Sequence, residues 1–165
     1  NAIFTTKSDR NLDFLLNTWK EIKKQNSNSK LFINPPYKLS ENDDQNSIFL
    51  RNKGNKKYLI DDLKNSRLFI TPGHQTEVFC LAAEEARELC VPIVTMGKGS
   101  LYERVEYERT GFIAKDESQF IHYSNLVLTD DKIYHKLRKN LFKKRNSRNY
   151  KDVKEDLIKI LFNNE

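Results

Sequence analysis

Two glutamates, Glu77 and Glu85, stand eight residues apart in the segment TPGHQTEVFCLAAEEA, Thr71 to Ala86. A Pro-Gly pair closes the apolar run before them, and a helical pattern runs from about Val78 to Leu89. On one helix that spacing is roughly 12 Å at about 1.5 Å per residue, which suits the two ends of an extended ligand and not one shared metal ion. An ionised carboxylate only accepts hydrogen bonds and takes two hydroxyls at once, so vicinal diols are natural partners. The start of the helix adds unpaired N–H groups and the positive end of a dipole, which favour phosphate or hydroxyl oxygens. On spacing alone the plainer reading is the stronger one: Glu77 as a helix-terminus acid and Glu85 as a solvated side chain.

Other chemistry-bearing residues are sparser. His74 lies in the loop before Glu77, where it can serve as a general base or simply shape a pocket. His122 and His135 have no companion residues and read as helix-surface positions. The pairs Asp43-Asp44 and Asp61-Asp62 fall in polar stretches and read as solvated, and no Asp-x-Asp pair ends a strand in the manner of a metal-dependent transferase. Cys80 and Cys90 have neither CxxC spacing nor further ligands nearby, so neither a zinc site nor a disulfide framework is expected. No bound metal or cofactor is called for.

Alternating elements position these residues. A short strand Ala2 to Thr5 leads to a helix with Leu12, Leu15, Leu16, Trp19 and Ile22 at helical spacing, and Ser8 and Asp9 are suitable capping types before it. A second strand, Lys30 to Asn34, stops at Pro35 and Pro36; residues 38 to 56 carry little signal; a short helix covers Tyr58 to Leu63. Strands Leu68 to Thr71, Pro92 to Met96 and Phe112 to Ala114 follow, separated by the helix over Glu85 and a short one over Leu101 to Val105. Helices near Glu117 to Leu128 and Asp130 to Arg145 come next, with a last amphipathic helix bearing Val153, Leu157, Ile160 and Leu161. This order predicts an α/β fold: a Rossmann-like doubly wound parallel sheet with a helical C-terminal tail. In such sheets ligands bind at the carboxyl ends of strands where the order reverses, which points to the turns after Thr6, Thr71 and Met96.

The segment TEVFCLAAEEARELCVPIVTMGKGSLYERVEYERTGFIA, Thr76 to Ala114, resembles the core signature of retaining glycosyltransferases of family 4, in the GT-B superfold. The matching positions are Glu77, Phe79, Leu81, Glu85, Ala86, Pro92, Ile93, Val94, Gly97, Glu103, Val105, Thr110, Gly111 and Phe112. The resemblance is to the family's C-terminal, donor-binding domain. It implies that Glu77 contacts the transferred sugar as the catalytic-site carboxylate and that Glu85 holds the ribose. It also implies donor contacts from the backbone of Val78, Phe79, Cys80 and Leu81. Gly97, Lys98 and Gly99 would approach the diphosphate. In the first turn, FTTKSDRNLDFLL, Arg10-Asn11-Leu12 takes the place of an Arg-Gly-Leu variant, which implies that Arg10 grips the diphosphate, with Lys7 a weaker candidate. Four departures stand out: Asn11, Cys80 and Cys90 each replace a glycine, and Lys98 splits a glycine pair.

Composition agrees without deciding. The 165 residues suffice for one domain, and the net charge of +6 suits phosphate-bearing ligands, nucleic acid or an anionic surface. The basic run Lys136 to Arg148 reads either as a solvated helix face with Leu137, Leu141 and Phe142 turned inward, or as peripheral contact with an anionic membrane. No nucleic-acid reading helix or stacking motif is recognisable. No apolar run reaches the roughly 18 residues needed to span a bilayer, no signal peptide is visible, and the expected setting is cytoplasmic. The chain opens at Asn1 with a strand almost at once, so it is read as one nucleotide-sugar-binding domain, residues 1–165, cut from a longer protein whose N-terminal domain holds the acceptor. The implied reaction moves a hexosyl group from a nucleoside diphosphate sugar to a glycan or lipid-linked acceptor, with retention and without a metal. The alternatives are a sugar-nucleotide epimerase of the same superfold and a non-catalytic nucleotide-binding module.

Overall fold

A computed structural model of the chain describes residues 1–34, 36–51, 56–145 and 150–162. Six parallel strands form one sheet: β1 (Ala2–Phe4), β2 (Leu31–Ile33), β3 (Ile48–Leu50), β4 (Leu68–Thr71), β5 (Ile93–Thr95) and β6 (Gly111–Ile113), in the order β3-β2-β1-β4-β5-β6. Among the described residues seven helices accompany them: α1 (Leu12–Gln25), α2 (Lys56–Lys64), α3 (Leu81–Glu88), α4 (Leu101–Arg104), α5 (Glu117–Thr129), α6 (Asp131–Arg145) and α7 (Tyr150–Phe162). The doubly wound expectation holds, and the order reverses between β1 and β4.

Each face of the sheet buries its own apolar layer. Ala2 and Phe4 of β1, with Leu68 and Ile70 of β4, pack with the α1 stripe Leu12, Leu15, Leu16, Trp19 and Ile22 and with Phe120 and Val127 of α5. The residues between them, Ile3 and Phe69, point the other way, onto Leu63 of α2, Ala83 and Ala86 of α3 and Leu101 of α4. Burial of side chains of this size contributes roughly 1.5–3 kcal/mol each. Trp19 is wholly buried, and its indole N–H donates to Ser47 Oγ at 3.0 Å, which satisfies its one polar atom.

Several expected details change. Strand β3 lies in the stretch that carried little signal, because only Ile48 of its three residues is buried at this sheet edge. Ser8 and Asp9 do not cap α1; Asn11 occupies the cap position in a left-handed conformation, with φ 61°. Helix α3 starts at Leu81, three residues later than Val78. On α6, Leu137 and Leu141 are buried as expected but Phe142 faces outward, 57% exposed. Asp44 and Asp62 are not simply solvated: Asp44 accepts from the Ser47 hydroxyl and the Asn46 amide, and Asp62 pairs with Arg51. Pro35 and the end of the basic run, residues 146–148, lie outside the described residues. No helix among the described residues is long and apolar enough to cross a membrane.

Candidate functional site

Where the sheet order reverses, the turns after β1 and β4 leave the sheet side by side. Three contacts join them. The hydroxyls of Thr6 and Thr71 approach at 3.4 Å, Asn11 Nδ2 donates to the Gly73 carbonyl, and Arg10 Nε donates to Glu77 Oε2 at 3.1 Å. Between the turns lies an open cavity of about 400 Å³. Lys7 and Arg10 line it from the first turn, and Glu77, Val78, Phe79, Cys80 and Leu81 from the second. Seven of the residues singled out from the sequence therefore meet in one place. Thr5, Thr6, Thr76 and Ala82 complete the wall. The Thr5 hydroxyl is shielded from solvent and has no hydrogen-bond partner among the described residues. No sequence signal separates these threonines from ordinary turn residues.

Glu77 lies in the loop before α3, not on the helix, so eight residues do not run along one helix axis to Glu85. The loop is folded so that the carboxylate meets the start of the helix from outside: Cys80 N–H donates to Glu77 Oε1 at 3.2 Å. Both oxygens of Glu77 thus have one protein donor, and each keeps acceptor capacity for a hydroxyl. Cys80 makes the turn into the helix with φ 54°. Ala83 and Glu84 N–H already donate to the Cys80 carbonyl, so Leu81 and Ala82 N–H are the groups that helix geometry leaves without an intrahelical acceptor. Both residues line the cavity.

Glu85 is one turn beyond Leu81 on α3, spaced to share that residue's face. It does not line the cavity itself, and neither do Gly97, Lys98 and Gly99. The glycine turn instead stands behind the Glu77 loop. Ser100 N–H donates to the Glu77 carbonyl at 2.8 Å, and a Cβ on Gly99 would meet that oxygen at 2.6 Å and the His74 carbonyl at 2.8 Å. Phe79 is half exposed, and its outer face is covered by Arg104, whose guanidinium sits 4.2 Å over the ring while its Nε donates to the Phe79 carbonyl. Glu84 holds Arg104 and Arg87 in turn. His74 turns its Nδ1 back to Thr76, accepting from the backbone N–H at 3.2 Å, which is a loop-shaping contact. His122 and His135 are exposed on their helices as expected.

Both cysteines are buried free thiols in left-handed backbone, with φ 54° at Cys80 and 57° at Cys90. Glycine adopts that conformation without strain, whereas a residue with a Cβ costs roughly 1–2 kcal/mol. Burial, with smaller contributions from the Glu77 and Glu84 carboxylates, pushes the Cys80 thiol up to about 11. It is therefore protonated at neutral pH despite lining the cavity. Iodoacetamide at pH 7.5 is expected to alkylate Cys80 about a hundredfold more slowly than a free cysteine. Peptide mapping after timed quenching measures this; modification at the rate of free cysteine would show that the thiol is neither buried nor suppressed.

Comparison with known proteins fits this geometry. The family model described as glycosyl transferases group 1 matches residues 5–144. No curated protein sequence matches the chain. Among solved structures, the C-terminal domain of a glycosyl transferase group 1 family protein (LpcC) from Francisella tularensis is similar at a TM-score of 0.71 and 12% identity, over 86% of this chain and 82% of that one. Sucrose-phosphate synthase from Thermosynechococcus elongatus is similar at 0.77 and 15% identity, over 99% of this chain and 46% of that one. A TarM variant from S. aureus, in complex with fondaparinux, alpha-GlcNAc-glycerol and UDP, is similar at 0.74 and 16% identity, over 96% and 35%. The chain thus spans less than half the length of the last two. The match over residues 5–144 takes in both turns of the cavity and the strands β2 to β6, and the chain belongs to the glycosyl transferases group 1 family.

Proposed function

We propose that this chain is the donor-binding half of a GT-B glycosyltransferase that moves a hexosyl group from a nucleoside diphosphate sugar to a glycan or lipid-linked acceptor, with retention and without a metal ion. The observation that carries the reading is the Arg10–Glu77 couple at the reversal of the sheet, which puts a cation and a carboxylate with acceptor capacity for hydroxyls side by side in one cavity. Arg10, with Lys7, is suited to a diphosphate, and the start of α3 adds helix N–H groups. The hexose is assigned to Glu77, in the loop before α3, and the ribose to Glu85, on α3 itself. UDP bound to the TarM relative supports a uridine nucleotide as the first donor to try. The acceptor and any group that completes catalysis come from a facing domain, so this chain alone is expected to bind donor weakly and turn over poorly.

The ribose assignment makes a separate prediction. Glu85→Ala should weaken UDP, measured by calorimetry or NMR titration, by about fivefold to tenfold, the loss of a charge-assisted hydrogen-bond pair to a diol. Unchanged affinity for both UDP and GDP would remove Glu85 from the site. Peripheral contact with an anionic membrane, on the cytoplasmic side, belongs to the same proposal. Its support is the exposed stripe Lys132, Lys136, Lys139 and Lys143 on α6, beside outward-facing Phe142.

A further inference from the structure

Glu77 lies four residues ahead of α3, so helix geometry does not decide where its carboxylate points. Its loop begins at Gly73 and is held from behind by Ser100 N–H on the Glu77 carbonyl. From the front it is held by the first βα turn, through two adjacent residues. Asn11 is the cap residue of α1, yet its side chain makes no capping bond to that helix. Its Nδ2 crosses to the Gly73 carbonyl, at the loop's start. Arg10 Nε reaches Glu77 Oε2, at the loop's far end. The left-handed backbone at Asn11 turns that amide across the gap; glycine would accept the same φ but would have nothing to donate. The Arg10 and Glu77 side chains are only 20% and 15% exposed, so their pairing is less screened than a surface ion pair.

We propose that Arg10 and Asn11 act together as positioning residues for Glu77, so that the turn after β1 sets the orientation of the carboxylate in the sugar subsite. The proposal rests on the assignment of the sugar to Glu77. A diphosphate that engages the remaining guanidinium N–H groups of Arg10 would then also fix the Nε bond to Glu77, tying recognition of the phosphates to placement of the sugar. Lysine at position 10 keeps the charge but has no such fork.

The decisive variants in the 165-residue chain are Asn11→Gly, which keeps the left-handed backbone and deletes only the cross-link, and Arg10→Lys. UDP and UDP-glucose, and in parallel GDP and GDP-mannose, are titrated by NMR. With Asn11→Gly the diphosphate should bind within about twofold of wild type. The ratio of sugar-conjugate Kd to diphosphate Kd should rise about fivefold, the worth of one neutral hydrogen bond. In a Glu77→Ala background the same change should leave that ratio unmoved. Ligand-free amide exchange at Thr76 to Cys80 should accelerate about tenfold in both variants as the loop loosens. An equal loss for diphosphate and conjugate, or unchanged exchange at those amides, overturns the proposal. If no nucleotide binds the wild type, the donor reading fails, while the exchange rates still decide whether Arg10 and Asn11 hold the loop.

Discussion

Replacing Arg10 by alanine is expected to weaken nucleoside diphosphate binding by about 30- to 100-fold while the corresponding nucleoside stays within about twofold. A guanidinium that donates two charge-assisted bonds to phosphate contributes roughly 2–3 kcal/mol, and a nucleoside has no phosphate to lose. The geometry sharpens the expectation. Arg10 uses Nε on Glu77 and sits 3.4 Å from Asp9 through one terminal nitrogen, so donors remain for an anion in the cavity. Loss of Arg10 also leaves Glu77 without its cation, so a sugar conjugate should suffer at least as much as the bare diphosphate. Equal losses for nucleoside and diphosphate, read by titration, would mean that Arg10 only holds the fold.

The second large effect is expected from Gly99→Ala. The residue has φ +59°, where any side chain costs roughly 1–2 kcal/mol, and its Cβ would press on two backbone carbonyls, Glu77 and His74. Neither oxygen belongs to a flexible side chain, so the loop carrying Glu77 must shift. A total near 3 kcal/mol is expected, lowering Tm by about 6–12 °C for a chain of this size. Sugar-conjugate binding should fall further than diphosphate binding. Lys98→Ala, at the half-exposed residue next door, should change Tm by less than about 2 °C. Similar Tm values for the two variants would contradict the buttressing role assigned to the glycine turn.

Most of the sheet was legible because its signals are local. The strand Leu68 to Thr71 is an unbroken apolar run that ends at Pro72-Gly73, and the α1 stripe repeats at helical spacing; both appear where the pattern puts them. Strand β3 was not legible, since two of its three residues are exposed and nothing alternates. The start of α3 was misplaced for a different reason. A left-handed turn at Cys80 delays the helix, and cysteine does not announce such a turn as glycine does. Phe142 faces outward although it adjoins Leu141, because an apolar residue one position off the buried stripe lies about 100° around the helix. The site's residues were legible as types, through a resemblance spanning Thr76 to Ala114, but not as an arrangement. Arg10 and Glu77 are separated by 67 positions and meet only because β1 and β4 are neighbours. The cross-link from Asn11 was hidden altogether, since its residue looked like a mere replacement for glycine.

The central claim, that the cavity between the two turns binds the donor, is tested most directly by NMR titration of the 15N-labelled chain with UDP and UDP-glucose, and with GDP and GDP-mannose. The account predicts saturable amide shifts at Lys7, Arg10, Leu81 and Ala82 with the preferred diphosphate. Shifts at Glu77 to Cys80 should be larger with the sugar conjugate than with the diphosphate, and that added part should vanish in Glu77→Gln. Shifts confined to the exposed lysines of α6, or none at millimolar ligand, would contradict it.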